Sequence, residues 1–334
     1  MFSSKNLLNL LIGISTTIFS SYCLSQAPNQ DWDKAMKFWE DNKSLCHDTT
    51  TNMDYPSKAN CDDGDMTLFN GLLCASGVSL GCKGVEKAQR SDGSWHRSPR
   101  LASDPTLRPT NSFSPDMAHG VLLWAITTKD SEETRSKMAR WIRWLEENQE
   151  CKISEENKRE CDIKVCIDHT EGGCYLSKGD LSVFAATIIA LGLEKEIHDN
   201  DLLNLINREA KNADIWAWVG ASTAKLGFPL HLAAVKILLL KMLNVQELNA
   251  RLRSAAQILY GRQQENPFFL FLSNEQTSPV KQMVLQKCPT EESQLGLKNE
   301  WAWERCDADK AWLKSMLWDC IFMGQLLEKN RNIN

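Results

Sequence analysis

The sequence predicts an all-α domain in which helical hairpins follow one another and pack as a bundle, a solenoid or an α/α toroid. Three observations predict it. Apolar residues recur at helical spacing in segment after segment, and alternating strand patterns are scarce. Gly, Pro, Ser and Asp stand at the ends of those segments, where helices start and stop. No period of fixed length is visible, which argues against a regular solenoid. Twelve cysteines supply the staples.

Residues 31–42 read as a first helix, with Trp32, Met36 and Trp39 on one face. Residues 43–60 read as a polar loop. A second helix is expected over 66–75, capped by Asp62 or Asp63 and ended by Gly77 and Gly81. A short helical turn is expected over 85–90 and a loop over 102–113. The helix at 114–127 carries favoured start chemistry: Ser114 as cap, Pro115 at the first position, Asp116 in the first turn. Its hairpin partner at 132–148 turns Met138, Trp141, Ile142 and Leu145 inward. After a cysteine-rich excursion at 149–178, helices are expected over 180–193, 201–218, 228–243 and 245–260. Residues 263–300 read as a long irregular segment, with 267–272 as a short strand or buried loop. A helix over 307–329 closes the chain, with Trp312, Met316, Cys320 and Met323 inward.

A chain of 334 residues with 43% hydrophobic residues can bury a large core. Its net charge of -5 gives no electrostatic case for a nucleic-acid partner. The N-terminus reads as a secretory signal over residues 1–27: Lys5, a short apolar run at 7–19, then Ser25 and Ala27 at a cleavage site. Residues 28–334 then form one domain. No later segment reads as a membrane span, because His231, Lys236 and Lys241 interrupt the apolar run at 230–243. The expected location is periplasmic or extracellular, and the oligomeric state is open.

Such a compartment permits disulfides. Proximity suggests Cys46 with Cys61, Cys74 with Cys82, Cys151 with Cys161, Cys166 with Cys174, and Cys288 with Cys306, leaving Cys320 as a buried thiol. Connectivity itself cannot be read from spacing. The alternative is a metal site of Cys161, Cys166, His169 and Cys174, but the short CxxC spacing is missing, so no metal is expected. No cofactor motif is present: there is no Walker loop, dinucleotide fingerprint, HExxH or nucleophile elbow.

Gln89 followed by Asp92-Gly93-Ser94-Trp95 resembles the QW repeat of terpene cyclases and related α/α toroids, in which the Gln caps a helix and the Trp packs on the next. Gly64-Asp65 at a helix start, that turn and the tryptophans together resemble an incomplete toroid of the six-hairpin glycosidase type. Residues 62–74, 92–99, 111–123 and 301–322 also resemble an uncharacterised family of secreted bacterial proteins. The toroid resemblance implies a groove where inner helices begin, and Asp65, Asp116 and Asp180 occupy that kind of position.

Glycoside cleavage needs two carboxyl groups across the bond, one acid and one base or nucleophile. Asp65 and Asp116 are the candidate pair, with Asp62 beside Asp65 and Glu304 as a third acid. For all of them the alternative is helix capping or a surface pair. His119 lies three residues after Asp116, so the two can meet on one helical face as an oriented base; a structural histidine is the alternative. Asp92, Trp95, His96, Arg97 and Arg100 share a loop, where arginines can hold ligand carboxylates. Trp301 and Trp303 precede the last helix as a stacking platform or as a seal on the first helix. The expected partner is a polysaccharide or peptidoglycan-like ligand. The expected function is a glycan-active hydrolase, or else a non-catalytic glycan- or protein-binding module of the same fold.

Overall fold

A computed structural model describes residues 31–58, 61–104, 113–153, 159–166, 174–244, 249–274, 277–291 and 317–331. The chain is all-α, with two small hairpins. Helix α1 (Trp32–Asn42) starts at Asp31, whose carboxylate accepts the Asp33 amide at 3.1 Å. The expected polar loop after it is instead an antiparallel pair, β1 (Leu45–Asp48) with β2 (Met53–Pro56). Buried Tyr55 and the Cys46–Cys61 disulfide anchor that hairpin.

Helix α2 (Met66–Ser76) ends at Gly77, whose φ of 105° lets its N–H return to the Cys74 and Leu73 carbonyls. Helices α3 (Ser79–Glu86), α4 (Pro99–Ser103), α5 (Pro115–Thr127) and α6 (Glu132–Asn148) follow. Strands β3 (Glu150–Ile153) and β4 (Arg159–Asp162) pair with Cys151 opposite Cys161. Then come α7 (Lys178–Ala190), α8 (Asn200–Glu209), α9 (Ala213–Thr223), α10 (Phe228–Leu243) and α11 (Asn249–Arg262). The expected single helix at 201–218 is thus two, parted by a tight turn at Ala210–Asn212.

The expected strand or loop at 267–272 is a correction: it is helix α12 (Pro267–Asn274), followed by α13 (Thr277–Lys287). The Asn266 carboxamide accepts the amides of Phe268 (3.0 Å) and Phe269 (3.2 Å), and Pro267 stands at the helix start. Burial of all six residues from Pro267 to Leu272 outweighs their strand preference. Helix α14 (Trp318–Arg331) ends the described chain. The proposed signal, Trp312, Met316 and the start expected for the last helix lie outside the described residues.

Three expected disulfides form: Cys46–Cys61, Cys74–Cys82 and Cys166–Cys174. The fourth differs. Cys288 bonds Cys320, with Cα atoms 5.9 Å apart, so Cys320 is not a free thiol. The bond ties the end of α13 to α14, which already pack together. Cys306 lies outside the described residues, and the Cys166–Cys174 bond removes two ligands of the alternative metal set. These disulfides fit an oxidising environment. Among the described residues no helix is long and apolar enough to cross a membrane.

The centre is the pair α2 and α5. Every residue of α2 is buried, as is every residue of α5 from Met117 to Ile126. They cross at glycine. A Cβ on Gly71 would run into the Gly120 backbone, and one on Gly120 into the Thr67 carbonyl and the Leu68 backbone. Contacts pass outward from this pair in a closed circuit. Helix α5 packs on α7 and α10, α10 on α12, α12 on α13, α13 on α14, and α14 back on α2.

Gly120→Ala is therefore expected to destabilise the fold by at least about 2 kcal/mol, because two backbones must separate. Gly261→Ala, in α11 with no heavy atom within 4 Å of its added Cβ, is expected to stabilise by about 0.5–1 kcal/mol. Denaturant unfolding of both variants beside the wild type checks the contrast.

Candidate functional site

Four aspartates stand at or before the starts of the central helices, and the fold uses them differently. Asp62 is exposed, and its carboxylate accepts the Gly64 amide at 3.0 Å, which makes a local turn. Asp63 is buried. It accepts Arg100 Nε at 3.0 Å and the Tyr55 hydroxyl at 2.9 Å, and Arg100 also donates to the Cys61 carbonyl at 3.0 Å. Burial first, and then the Asp63 carboxylate, push the Tyr55 phenol well above its ordinary value. Neither Asp62 nor Asp63 caps α2 with its side chain. Arg100 thus makes the inter-loop salt bridge that was the alternative to gripping a ligand carboxylate.

Asp65 occupies the cap position of α2 but makes no capping bond. Its backbone is left-handed, with φ 59° and ψ 13°. Aspartate adopts that conformation more readily than most residues with a Cβ. The carboxylate instead reaches Arg97, with Nη1 to Oδ1 at 3.1 Å. The side chain of Asp65 is 29% exposed and that of Arg97 15%. Asp116, in the first turn of α5, accepts the Ser114 hydroxyl, and Ser114 makes no side-chain capping bond itself.

The loop holding the expected ligand groups is mostly core. Trp95 is 1% exposed and packs edge-on against Trp124 of α5 and Trp141 of α6, at centroid separations of 5.6 and 6.3 Å. It cannot stack on a ligand, which corrects that expectation. Gln89 Nε2 donates to the Lys137 carbonyl within α6 at 2.9 Å, so it ties two segments together rather than capping a helix end. Asp92 closes the turn by accepting the Ser94 amide and hydroxyl. His96 is buried; its amide donates to the Ala88 carbonyl and its own carbonyl accepts the Thr67 hydroxyl. Glu304, Trp301 and Trp303 lie outside the described residues.

His119 has a partner that its sequence neighbours did not indicate. Its Nε2 lies 3.2 Å from Asp180 Oδ1, at the start of α7. Lys236 Nζ, from α10, lies 2.6 Å from the same oxygen. Ser177 caps α7 through Asp180: each side chain bonds the other's backbone N–H. Burial works to raise the Asp180 pKa, but the contacts with His119 and then Lys236 overcome it and hold the carboxyl well below the usual range. Lys236 was visible in the sequence as a charge interrupting an apolar run. Its partner was not, since it belongs to another helix.

His231, also on α10, packs its ring 5.7 Å from Phe268 of α12. Burial pushes this imidazole down to about 3. Among the described residues no cluster of His, Cys, Asp or Glu is suited to a metal ion. A small cavity between α6, α7 and α8 is lined by Ile142, Leu145, Phe184 and Ile206, and its apolar wall is unlike a groove for sugars. Compared with family models, curated proteins and solved structures, the chain matches none.

The buried His231 makes the fold acid-sensitive with a defined sign. The unfolded chain binds this proton near pH 6.5, whereas the folded chain stays neutral until about 3. Stability is therefore full above about 6.5 and falls by about 1.4 kcal/mol per pH unit as pH drops through that window. His231→Leu is expected to lose this part of the slope, seen as a wild-type-minus-variant stability difference that narrows from pH 7 to pH 4 in urea unfolding.

Proposed function

We propose that this chain is an exported, glycan-active hydrolase of an α/α toroid type, with Asp65 and Asp116 as its paired carboxylates. The observation that supports it most is Asp65: a helix-start aspartate that gives up capping, holds a left-handed backbone and keeps its carboxylate partly exposed beside Arg97. Asp65 is one of five non-glycine residues with a positive φ among the described residues, and its carboxylate engages Arg97 rather than the helix it begins. Asp116 complements it from the other helix of the crossing. It lies one turn before Gly120, which touches the α2 backbone two residues past Asp65.

The two environments suit opposite roles. Asp65, ion-paired with Arg97, takes the anionic part, as base or nucleophile at the anomeric carbon. Asp116, whose recorded partner is the neutral Ser114 hydroxyl, takes the proton-donating part at the departing oxygen. Carboxyl separations of about 5–5.5 Å give retention of configuration, and about 6.5–9.5 Å inversion.

A second reading has its own support. Asp65 is already engaged by Arg97, and Trp218 on α9 is 40% exposed with Ile215 beside it at 41%. A non-catalytic module would use that exposed aromatic face for a glycan or a protein.

The test is binding and turnover on bacterial and plant glycans, with the wild type beside Asp65→Asn and Asp116→Asn. Turnover is expected to fall at least about 100-fold in each variant, with the fold and ligand binding retained. Binding without turnover by the wild type would shift the assignment to the recognition module.

A further inference from the structure

Large apolar side chains left in water are normally scattered singly. Among the described residues five are exposed: Leu45, Ile189, Ile215, Trp218 and Leu226. Three of the five fall on α9 and the turn that follows it. Leu226 is the most exposed of all, at 60%. Ile215, Trp218 and Ser222 are spaced three and four apart, so they share one face of the helix. Leu226, half-buried Phe228 and exposed Pro229 follow at the turn into α10.

The polar groups of this stretch bond to the protein itself. Ser222 and Thr223 donate their hydroxyls back to the carbonyls of Trp218 and Val219, at 2.9 and 2.8 Å. Arg262 of α11 donates to the carbonyls of Ala221 (2.7 Å) and Ala224 (2.5 Å), at the end of α9 where carbonyls lack helical partners. Asp214, buried at the start of α9, is neutralised by Arg251 at 2.6 Å. Groups satisfied in this way can leave water for an apolar phase without an unmet hydrogen bond. A sugar or protein site needs hydrogen-bonding groups aimed outward.

Charge singles out the same stretch. The chain has a net charge of -5, yet from Ala210 to Gln246 it holds four lysines and one acid, Asp214. Lys236 and Lys241 are engaged by Asp180 and by the Leu272 carbonyl. Lys211 precedes the apolar face and Lys225 follows it. Both are exposed, and neither has an ion-pair partner among the described residues. A tryptophan-bearing apolar face with a free lysine at either end is complementary to an anionic lipid surface. The indole suits the headgroup depth, the aliphatic side chains the layer beneath, and the ammonium groups the lipid phosphates.

We propose that α9 and the turn after it form a peripheral membrane-contact face that binds an anionic lipid surface reversibly. Ile215, Trp218 and Leu226 enter the headgroup layer, and Lys211 and Lys225 pair with lipid phosphates. The proposal does not rest on the hydrolase reading and stands or falls separately from it. Each lysine near such a surface raises the partition about 5-fold, so the two together account for about 30-fold.

The test is vesicle sedimentation with the full chain purified after export. One set of vesicles is equal parts phosphatidylglycerol and phosphatidylcholine, and the other is phosphatidylcholine alone. The wild type is expected to partition at least about 10-fold better onto the anionic vesicles, and to be released in about 0.5 M salt. Leu226→Ser and Trp218→Ser are each expected to lower the partition at least about 5-fold. Lys211→Gln combined with Lys225→Gln is expected to lower it about 30-fold. Leu226 and the two lysines are exposed, so those variants keep the wild-type unfolding curve and carry the test if Trp218→Ser fails to fold. Equal partition onto both kinds of vesicle would overturn the proposal, as would variants that bind like the wild type. No partition of the wild type onto anionic vesicles would also overturn it and leave the face to a protein partner. Light scattering without lipid reads the remaining occupant: a dimer that Leu226→Ser dissociates would overturn the proposal in favour of a second copy of the chain.

Discussion

The close crossing of α2 on α5 is the constraint the rest of the molecule depends on. Gly71 and Gly120 let two fully buried helices meet backbone to backbone, where any Cβ would separate them. A contact that close is specific in register, since a shift of one residue would bring a side chain into the gap. It fixes Asp65 and Asp116 relative to each other, because each lies within about two turns of the crossing point. The neighbouring helices then close around the pair, and α14 seals α2 from the far side. The Cys288–Cys320 bond holds α14 to α13 and so keeps that seal in place.

Among the described residues, the buried carboxylates near the central helices are matched by cations. Asp63 holds Arg100 and Tyr55, and Asp180 holds Lys236 and His119. Removing one partner from such a set leaves an uncompensated buried charge and is costly. Against that background Asp65, part-exposed and paired with Arg97, and Asp116, bonded by the Ser114 hydroxyl, stand at the starts of the two crossing helices. That placement is why these two carboxylates, rather than their neighbours, are proposed for the chemistry.

The helices were legible where apolar spacing ran long. The bounds expected for α6 and α10 match those observed: α6 has a polar start at Ser131, α10 a Gly-Phe-Pro start, and each runs a full set of turns. The helix at Pro267–Asn274 was not legible, because a short apolar run looks the same as a strand, and only burial on every side decides it. Local disulfides were legible by proximity, whereas the bond from Cys288 to Cys320 depends on how two helices pack. The Gln89 to Trp95 pattern correctly marked a tight turn, but not that Trp95 would be enclosed by Trp124 and Trp141. Capping was assigned to Asp62 or Asp63 because sequence shows which residue types can cap, not which competing partner is near. Arg100 and Gly64 took those carboxylates instead.

The central claim is that the glycine crossing makes Asp65 and Asp116 one functional unit. A double-mutant cycle on glycan turnover, with Asp65→Asn, Asp116→Asn and the combined variant, tests it most directly. Groups that act together lose little more when both are removed than when one is. The account predicts a double variant about as slow as the worse single variant. Losses that multiply would mean the two carboxylates act independently, and would contradict the claim.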